Sequence, residues 1–207
     1  MKRLDSETVV SITNQLFWLT IAVLCLVPRM VFAHETGGEA AGLAQGFLHP
    51  ISGWDHILAM VAVGLWGAQL GAPAVWILPV AFPLVMAIGG FMGLIGIPVP
   101  GIEIGIAGSA IVLGILIALA AKPPLWIAAV IVGFFAIFHG HAHGTELPEG
   151  ENAALYSVGF VISTGCLHGV GILLGLIHKW SSGALVIRVA GVAVALGGAY
   201  FLWNALA

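Results

Sequence analysis

The stretch LHPISGWDHILAMVAVGLWGAQL, residues Leu48 to Leu70, decides the fold. After Asp55-His56 it continues to Leu70 without a charged side chain. At ~1.5 Å per residue a helix of this length crosses the ~30 Å of hydrocarbon in a bilayer. It therefore predicts one transmembrane helix over 48–70. Its mouth holds His49, Asp55 and His56, and an ionisable group at membrane depth costs ~3 kcal/mol or more unless it is paired or lines a polar path. A lone histidine there would be read as a cap or a pin for the helix end. Three such groups together point instead to metal or proton handling. On a continuous helix, positions seven apart return to nearly the same face, so His49 and His56 would share one stripe. Asp55 points away from that stripe and could orient an imidazole by hydrogen bonding.

Further apolar stretches follow at approximately 74–96, 102–121, 124–143, 153–177 and 184–206. Breakers separate them: Gly71-Ala72-Pro73, Ile97 to Gly101, Lys122-Pro123-Pro124, Gly144 to Asn152 and Lys179 to Gly183. Pro79 and Pro83 fall inside the second stretch and should kink it rather than end it. With charged residues at 7% and a mean hydropathy of +1.12, no soluble domain fits. The expected fold class is an all-α integral membrane protein, a compact bundle of six transmembrane helices after an N-terminal signal peptide. Pairs such as Gly89/Gly93, Gly101/Gly105, Gly165/Gly169 and Gly171/Gly175 have the small-xxx-small spacing that lets helices approach closely in lipid.

Residues 1–33 have the form of that signal: Lys2 and Arg3, an apolar core from Leu16 to Val27, and Val31-Phe32-Ala33 as a cleavage pattern. Cleavage would start the mature domain, 34–207, at His34; an uncleaved extra helix is the alternative. Either way residue 34 is delivered outside. Lys122, Lys179 and Arg188 then fall at the inner face, as the positive-inside rule requires. Glu35, Glu39, Asp55, Glu103, Glu146, Glu149 and Glu151 fall at or near the outer face. Trp66, Trp76, Trp126 and Trp180 mark inner ends, and Trp54 and Trp203 outer ones. An anionic, histidine-rich outer surface suits the concentration of a cation. A net charge of −3 without a basic patch gives no sign of a nucleic-acid partner. Cys25 and Cys166 form neither a plausible disulfide nor a thiolate metal site.

The run FHGHAHG, Phe138 to Gly144, ends the fourth stretch. His139 and His143 have the i, i+4 spacing of a chelating pair, His141 faces the other way, and Glu146 lies three residues further on. His139 is the deeper candidate, whereas His141 and His143 could equally be a solvated surface that collects metal loosely. Glu103 opens the third stretch, where it could be a ligand or simply complement the helix dipole. His168, thirteen residues past Leu155, should lie about 20 Å into the fifth stretch, a depth that calls for a function or a specific polar partner. The metal-handling set is thus His49, Asp55, His56, Glu103 and His139 with His168 below, and His34, His141 and His143 as weaker members. This vertical order resembles a path more than a single closed site. Imidazole and carboxylate without thiolate suit Ni²⁺, Co²⁺ or Zn²⁺ better than Cu(I), and histidine argues against Mg²⁺ or Ca²⁺.

The chain resembles the hydrogenase/urease accessory family of small metal permeases, HupE/UreJ. The resemblance rests on His49 with Asp55-His56, on Phe138 to Gly144, on Pro100-Gly101-Ile102-Glu103 leading into Ile106-Ala107-Gly108-Ser109, and on Leu167-His168 with Gly171. It covers essentially all of 34–207. It implies uptake of nickel, in some members cobalt, across the bacterial inner membrane to supply hydrogenase or urease maturation. It also implies that the ion is cargo rather than a cofactor, and that the chain is not an enzyme. No G-x-x-x-x-G-K-[ST] motif is present, so no ATPase is evident as energy source. One rival is an intramembrane metal-dependent hydrolase, which the lack of H-E-x-x-H disfavours. Another is a haem carrier, which needs two histidines at matched depth; His56 and His168 are conceivable.

Overall fold

A computed structural model describes residues 39–147 and 152–207. The expected signal segment and His34 lie outside the described residues. Within them all regular structure is helical: α1 (Glu39–Ser52), α2 (Trp54–Leu70), α3 (Ala74–Leu94), α4 (Ile102–Ala118), α5 (Leu125–Thr145), α6 (Ala153–Gly175), a 3₁₀ turn (Leu176–Lys179) and α7 (Ser181–Leu206). Helices satisfy every backbone group locally, which is why hydrocarbon selects them.

The deciding stretch is not one helix. It breaks at Gly53, and the two parts meet at 82°. Pro50 brings no N–H to the last turn of α1. Ser52 Oγ donates to the His49 carbonyl at 2.7 Å, and Gly53 is extended at φ −105°, ψ 122°. A new helix then begins with Ile57 N–H donating to the Gly53 carbonyl. The expected continuous span over 48–70, and the single stripe carrying His49 and His56, are both replaced by this corner.

By length and apolarity, four helices can cross a membrane and the bent α1–α2 pair makes a fifth. α4 is apolar but has only 17 residues. It stops at Ala118 rather than near 121, because Ala120 turns left-handed at φ 51°. Ala121 N–H then reaches back to the Leu116 carbonyl and Ala120 N–H to that of Ile117, closing the helix end. Side chains satisfy carbonyls at this terminus. Gln69 Nε2 donates to Ile117 O at 3.2 Å, Arg188 Nε to Ala118 O at 2.7 Å, and Trp66 Nε1 to Ala121 O at 3.1 Å. Trp66, expected among the lipid-belt tryptophans, is fully buried and serves here as an internal brace.

The closest helix pairs are α3–α5, α4–α7, α2–α6 and α1–α6. Glycine permits each approach. A methyl group on Gly89 or Gly93 of α3 would strike the α5 backbone, and one on Gly140 or Gly144 of α5 would strike α3. Gly64 and Gly171 do the same for α2 and α6. Of the glycine pairs singled out by spacing, Gly165/Gly169 meets nothing within 4 Å, and Gly101 instead occupies the left-handed turn before α4. Pro79 and Pro83 lie inside α3 without ending it. The core between the helices is built on Met60, Trp66, Leu78, Phe82, Leu113 and Ile117. Outside it, residues such as Leu84, Leu173, Leu185 and Leu196 are each more than 60% exposed on helices, an apolar surface suited to lipid and not to water. The protein is a multi-pass helical membrane protein.

Candidate metal centre

The corner at Gly53 sets the site. It turns the last residues of α1 and the first of α2 toward the C-terminal end of α5. His143 of α5 lies at the centre, its ring centroid 4.7 Å from that of His49 and 4.6 Å from that of His56. His56 also meets His139 edge-on at 5.0 Å. Four imidazoles from three helices therefore share one small volume. Phe160 of α6 closes the side, 4.2 Å from His143 and 6.3 Å from His49, and Tyr156 stands 5.9 Å from His49.

Carboxylates flank the rings. Asp55 Oδ1 accepts from His56 twice, from the backbone N–H and from Nδ1, both at 2.9 Å. With Nδ1–H committed to the carboxylate, His56 turns Nε2 inward as an acceptor, and that atom is buried without a protein partner. Glu146, the residue that ends α5, places Oε2 3.4 Å from His49 Nε2. That separation matches the edge of a tetrahedron built on bonds of about 2.1 Å. His49, His143 and Glu146 each offer a ligand atom, all within 4.8 Å of one another. His143 is buried with no protein partner on either ring nitrogen, and His139 lacks one on Nδ1. A buried polar atom left unpaired costs about 1–3 kcal/mol, so such a group in an apolar bundle requires a reason. A bound cation would supply one.

The described sequence candidates fall into four places. His49, Asp55, His56, His139 and His143 come together. His143, one of the weaker members, is the centre of the group, and burial removes the solvated-surface reading for it. His141 is also buried, but its Nε2 donates to the Ile97 carbonyl at 2.7 Å, tying α5 to the loop after α3 and away from the cluster. Glu103 is exposed and separate; with Asp55, Phe201 and Asn204 it lines a cavity of about 300 Å³ between α2, α4 and α7. Asp55 borders both this cavity and the imidazoles.

His168 is buried in α6, and Phe82 stands between it and the cluster, 5.5 Å from His168 and 5.6 Å from His139. The Pro79 carbonyl faces the His168 ring, though without a hydrogen bond of ordinary geometry. That carbonyl is free because its helical donor would be residue 83, and Pro83 has no N–H. Sequence reasoning left Glu146 out of the ligand set and missed Phe82, Tyr156 and Phe160 as walls. Glu146 was detectable, since it sits three residues beyond His143 on the same helical face. The aromatic residues were not, because their role depends on which helices meet.

Fold and site together define a multi-pass helical membrane protein with an imidazole and carboxylate cluster at one end of its bundle. The model of the family described as HupE / UreJ protein matches residues 22–201. Protein HupE of Rhizobium leguminosarum bv. viciae is 50% identical over 183 residues, which cover 88% of this chain and 95% of that protein. The chain belongs to the HupE/UreJ family. No solved structure matches it.

Proposed function

We propose that this chain is an inner-membrane permease for a divalent transition-metal ion, nickel foremost and cobalt next. In this reading six segments cross the membrane, with the bent α1–α2 pair and the short α4 each counting as one. The signal segment is removed before His34, and the histidine end of the bundle faces the periplasm. The ion is captured by His49, His56, His143 and Glu146, handed to His139, and passed beyond Phe82 to His168. Asp55 orients His56, and Glu103 and Asp55 draw the cation in through the cavity they share. The observation that carries the proposal is the convergence of four imidazoles, three of which, His56, His139 and His143, keep a buried ring nitrogen without a protein partner. Family membership supports it. Membrane potential is a sufficient driving force: a divalent cation gains about 4.6 kcal/mol per 100 mV on moving inward.

The test is uptake of radiolabelled nickel by cells producing the protein, with Co²⁺ and Zn²⁺ as competitors. Nickel accumulation that collapses with the membrane potential and with His56→Ala is expected. Accumulation equal to that of cells lacking the protein would remove the permease reading.

A further inference from the structure

We propose that Ser109 is a positioning residue that holds His139 in a single tautomer, Nε2 protonated and Nδ1 offered to the ion; this deepens the permease reading and rests on it for its functional half. Ser109 lies on α4, fully buried, and faces His139 of α5. Its Oγ is 2.6 Å from the Ile106 carbonyl and 3.0 Å from His139 Nε2. Two oxygens at 2.6 Å require a proton between them, and a carbonyl has none to give. The single hydroxyl proton of Ser109 is therefore committed to Ile106. Toward His139 the hydroxyl presents only lone pairs, so Nε2 must carry the proton in that contact.

A neutral imidazole has one N–H. Nδ1 of His139 is thus a bare acceptor, buried and without a protein partner. Asp55 imposes the opposite choice on His56, binding Nδ1–H and leaving Nε2 bare. The neighbouring rings, 5.0 Å apart and crossed at 89°, are therefore set in complementary tautomers by two different partners. An orienting bond of this kind fixes the ligand ring and its donor atom before the ion arrives, and its loss commonly weakens metal binding or activity 10–100-fold.

The experiment uses the full chain in detergent with ring-¹⁵N histidine, assigning His139 by the signals that vanish in His139→Ala. The nitrogen shifts report which atom bears the proton. His139 should appear as the Nε2–H form in the unaltered protein. Ser109→Ala and Ser109→Cys should lose that single form and raise the nickel concentration for half-maximal uptake by roughly 10–100-fold. Ser109→Thr, which keeps the hydroxyl, should retain both properties. A merely structural serine would lower the melting temperature on substitution and leave the tautomer alone. An Nδ1–H His139 in the unaltered protein, or an unchanged tautomer in a folded Ser109→Ala, would overturn the proposal. Tautomer shifts as expected in a protein that moves no nickel would uphold Ser109's hold on His139 and remove the permease reading instead.

Discussion

The two ends of the bundle treat polar side chains in opposite ways. At the end where α4 terminates, Trp66, Gln69 and Arg188 each donate to a backbone carbonyl at or just past the end of that helix. At the other end His56, His139 and His143 crowd together with inward nitrogens that find no protein partner. The first arrangement stabilises through its donors: Arg188 and Trp66 satisfy the Ala118 and Ala121 carbonyls in an apolar setting, and Gln69 Nε2 adds a bond at Ile117 while its Oε1 stays unpaired. The second is an expense the fold carries for something else. The difference separates polar residues that build the bundle from those that use it.

The largest effects should come from removing rings at the histidine end. His56→Ala and His143→Ala should abolish nickel uptake at normal protein levels, and His49→Ala or Glu146→Gln should do nearly the same. At the opposite end Gln69→Leu removes one hydrogen bond together with an unpaired buried oxygen, so stability should change by less than about 1 kcal/mol while uptake per molecule stays unchanged. Uptake assays alongside quantified membrane protein decide the matter. Parental transport in His143→Ala would collapse the contrast between the ends.

Next comes His168, which packs beyond Phe82 with neither ring nitrogen hydrogen-bonded. His168→Ala should leave nickel binding at the cluster within about twofold, yet stop the loading of liposomes. Gln can also donate and accept a hydrogen bond. Full flux in His168→Gln would make this residue a pin between helices and confine metal handling to the histidine end.

A smaller, graded effect is expected at Gly53. Its φ of −105° is open to any residue, so conformation does not demand glycine. Space does: an added Cβ would stand 2.7 Å from Asp55 Oδ1 and 3.3 Å from His56 Nδ1. Gly53→Ala should displace the Asp55–His56 pair and raise the nickel concentration for half-maximal uptake several-fold, with the maximal rate largely kept. An unchanged concentration dependence would show that the pair does not set affinity.

Much of this was legible in the residues. Helical class and the position of the breaks between segments followed from apolar length and from Gly and Pro, because each is a local property of the chain. The pairing of His49 with His56 was legible as proximity, and the route to it was not. A continuous helix would have stacked them on one stripe, whereas the corner at Gly53 folds them around His143. Periodicity is silent about a single extended residue. His141 and His143 are two residues apart in the same motif, yet one bonds to the Ile97 carbonyl and the other centres the cluster. Only the packing of α5 on α2 and on the loop after α3 distinguishes them. The glycine spacings behaved likewise: Gly171 meets α2 closely while Gly165 and Gly169 meet nothing, since spacing says how near a helix can come and not which helix arrives.

The smallest effect concerns how helices stop at the two ends. α3 finishes at the histidine end with Ile97 N–H bonded to the Met92 carbonyl and Gly96 N–H to that of Gly93. α4 finishes at the opposite end with the same pair of bonds, from Ala121 to Leu116 and from Ala120 to Ile117. The turn residue is left-handed in both, at φ 74° for Gly96 and 51° for Ala120. Glycine meets no Cβ clash in that region, whereas alanine loses about 1–2 kcal/mol. Part of the gain from replacing alanine is offset by the greater freedom of glycine in the unfolded chain, about 0.5–1 kcal/mol. Ala120→Gly should therefore stabilise the protein by roughly 0.5–1 kcal/mol, and Gly96→Ala should destabilise it by a similar amount. Thermal unfolding in detergent reads both, and uptake should not change in either. The carbonyls of Ile117, Ala118 and Ala121 are already held by Gln69, Arg188 and Trp66. A lowered midpoint in Ala120→Gly would mean that those braces, and not the left-handed residue, govern how α4 ends.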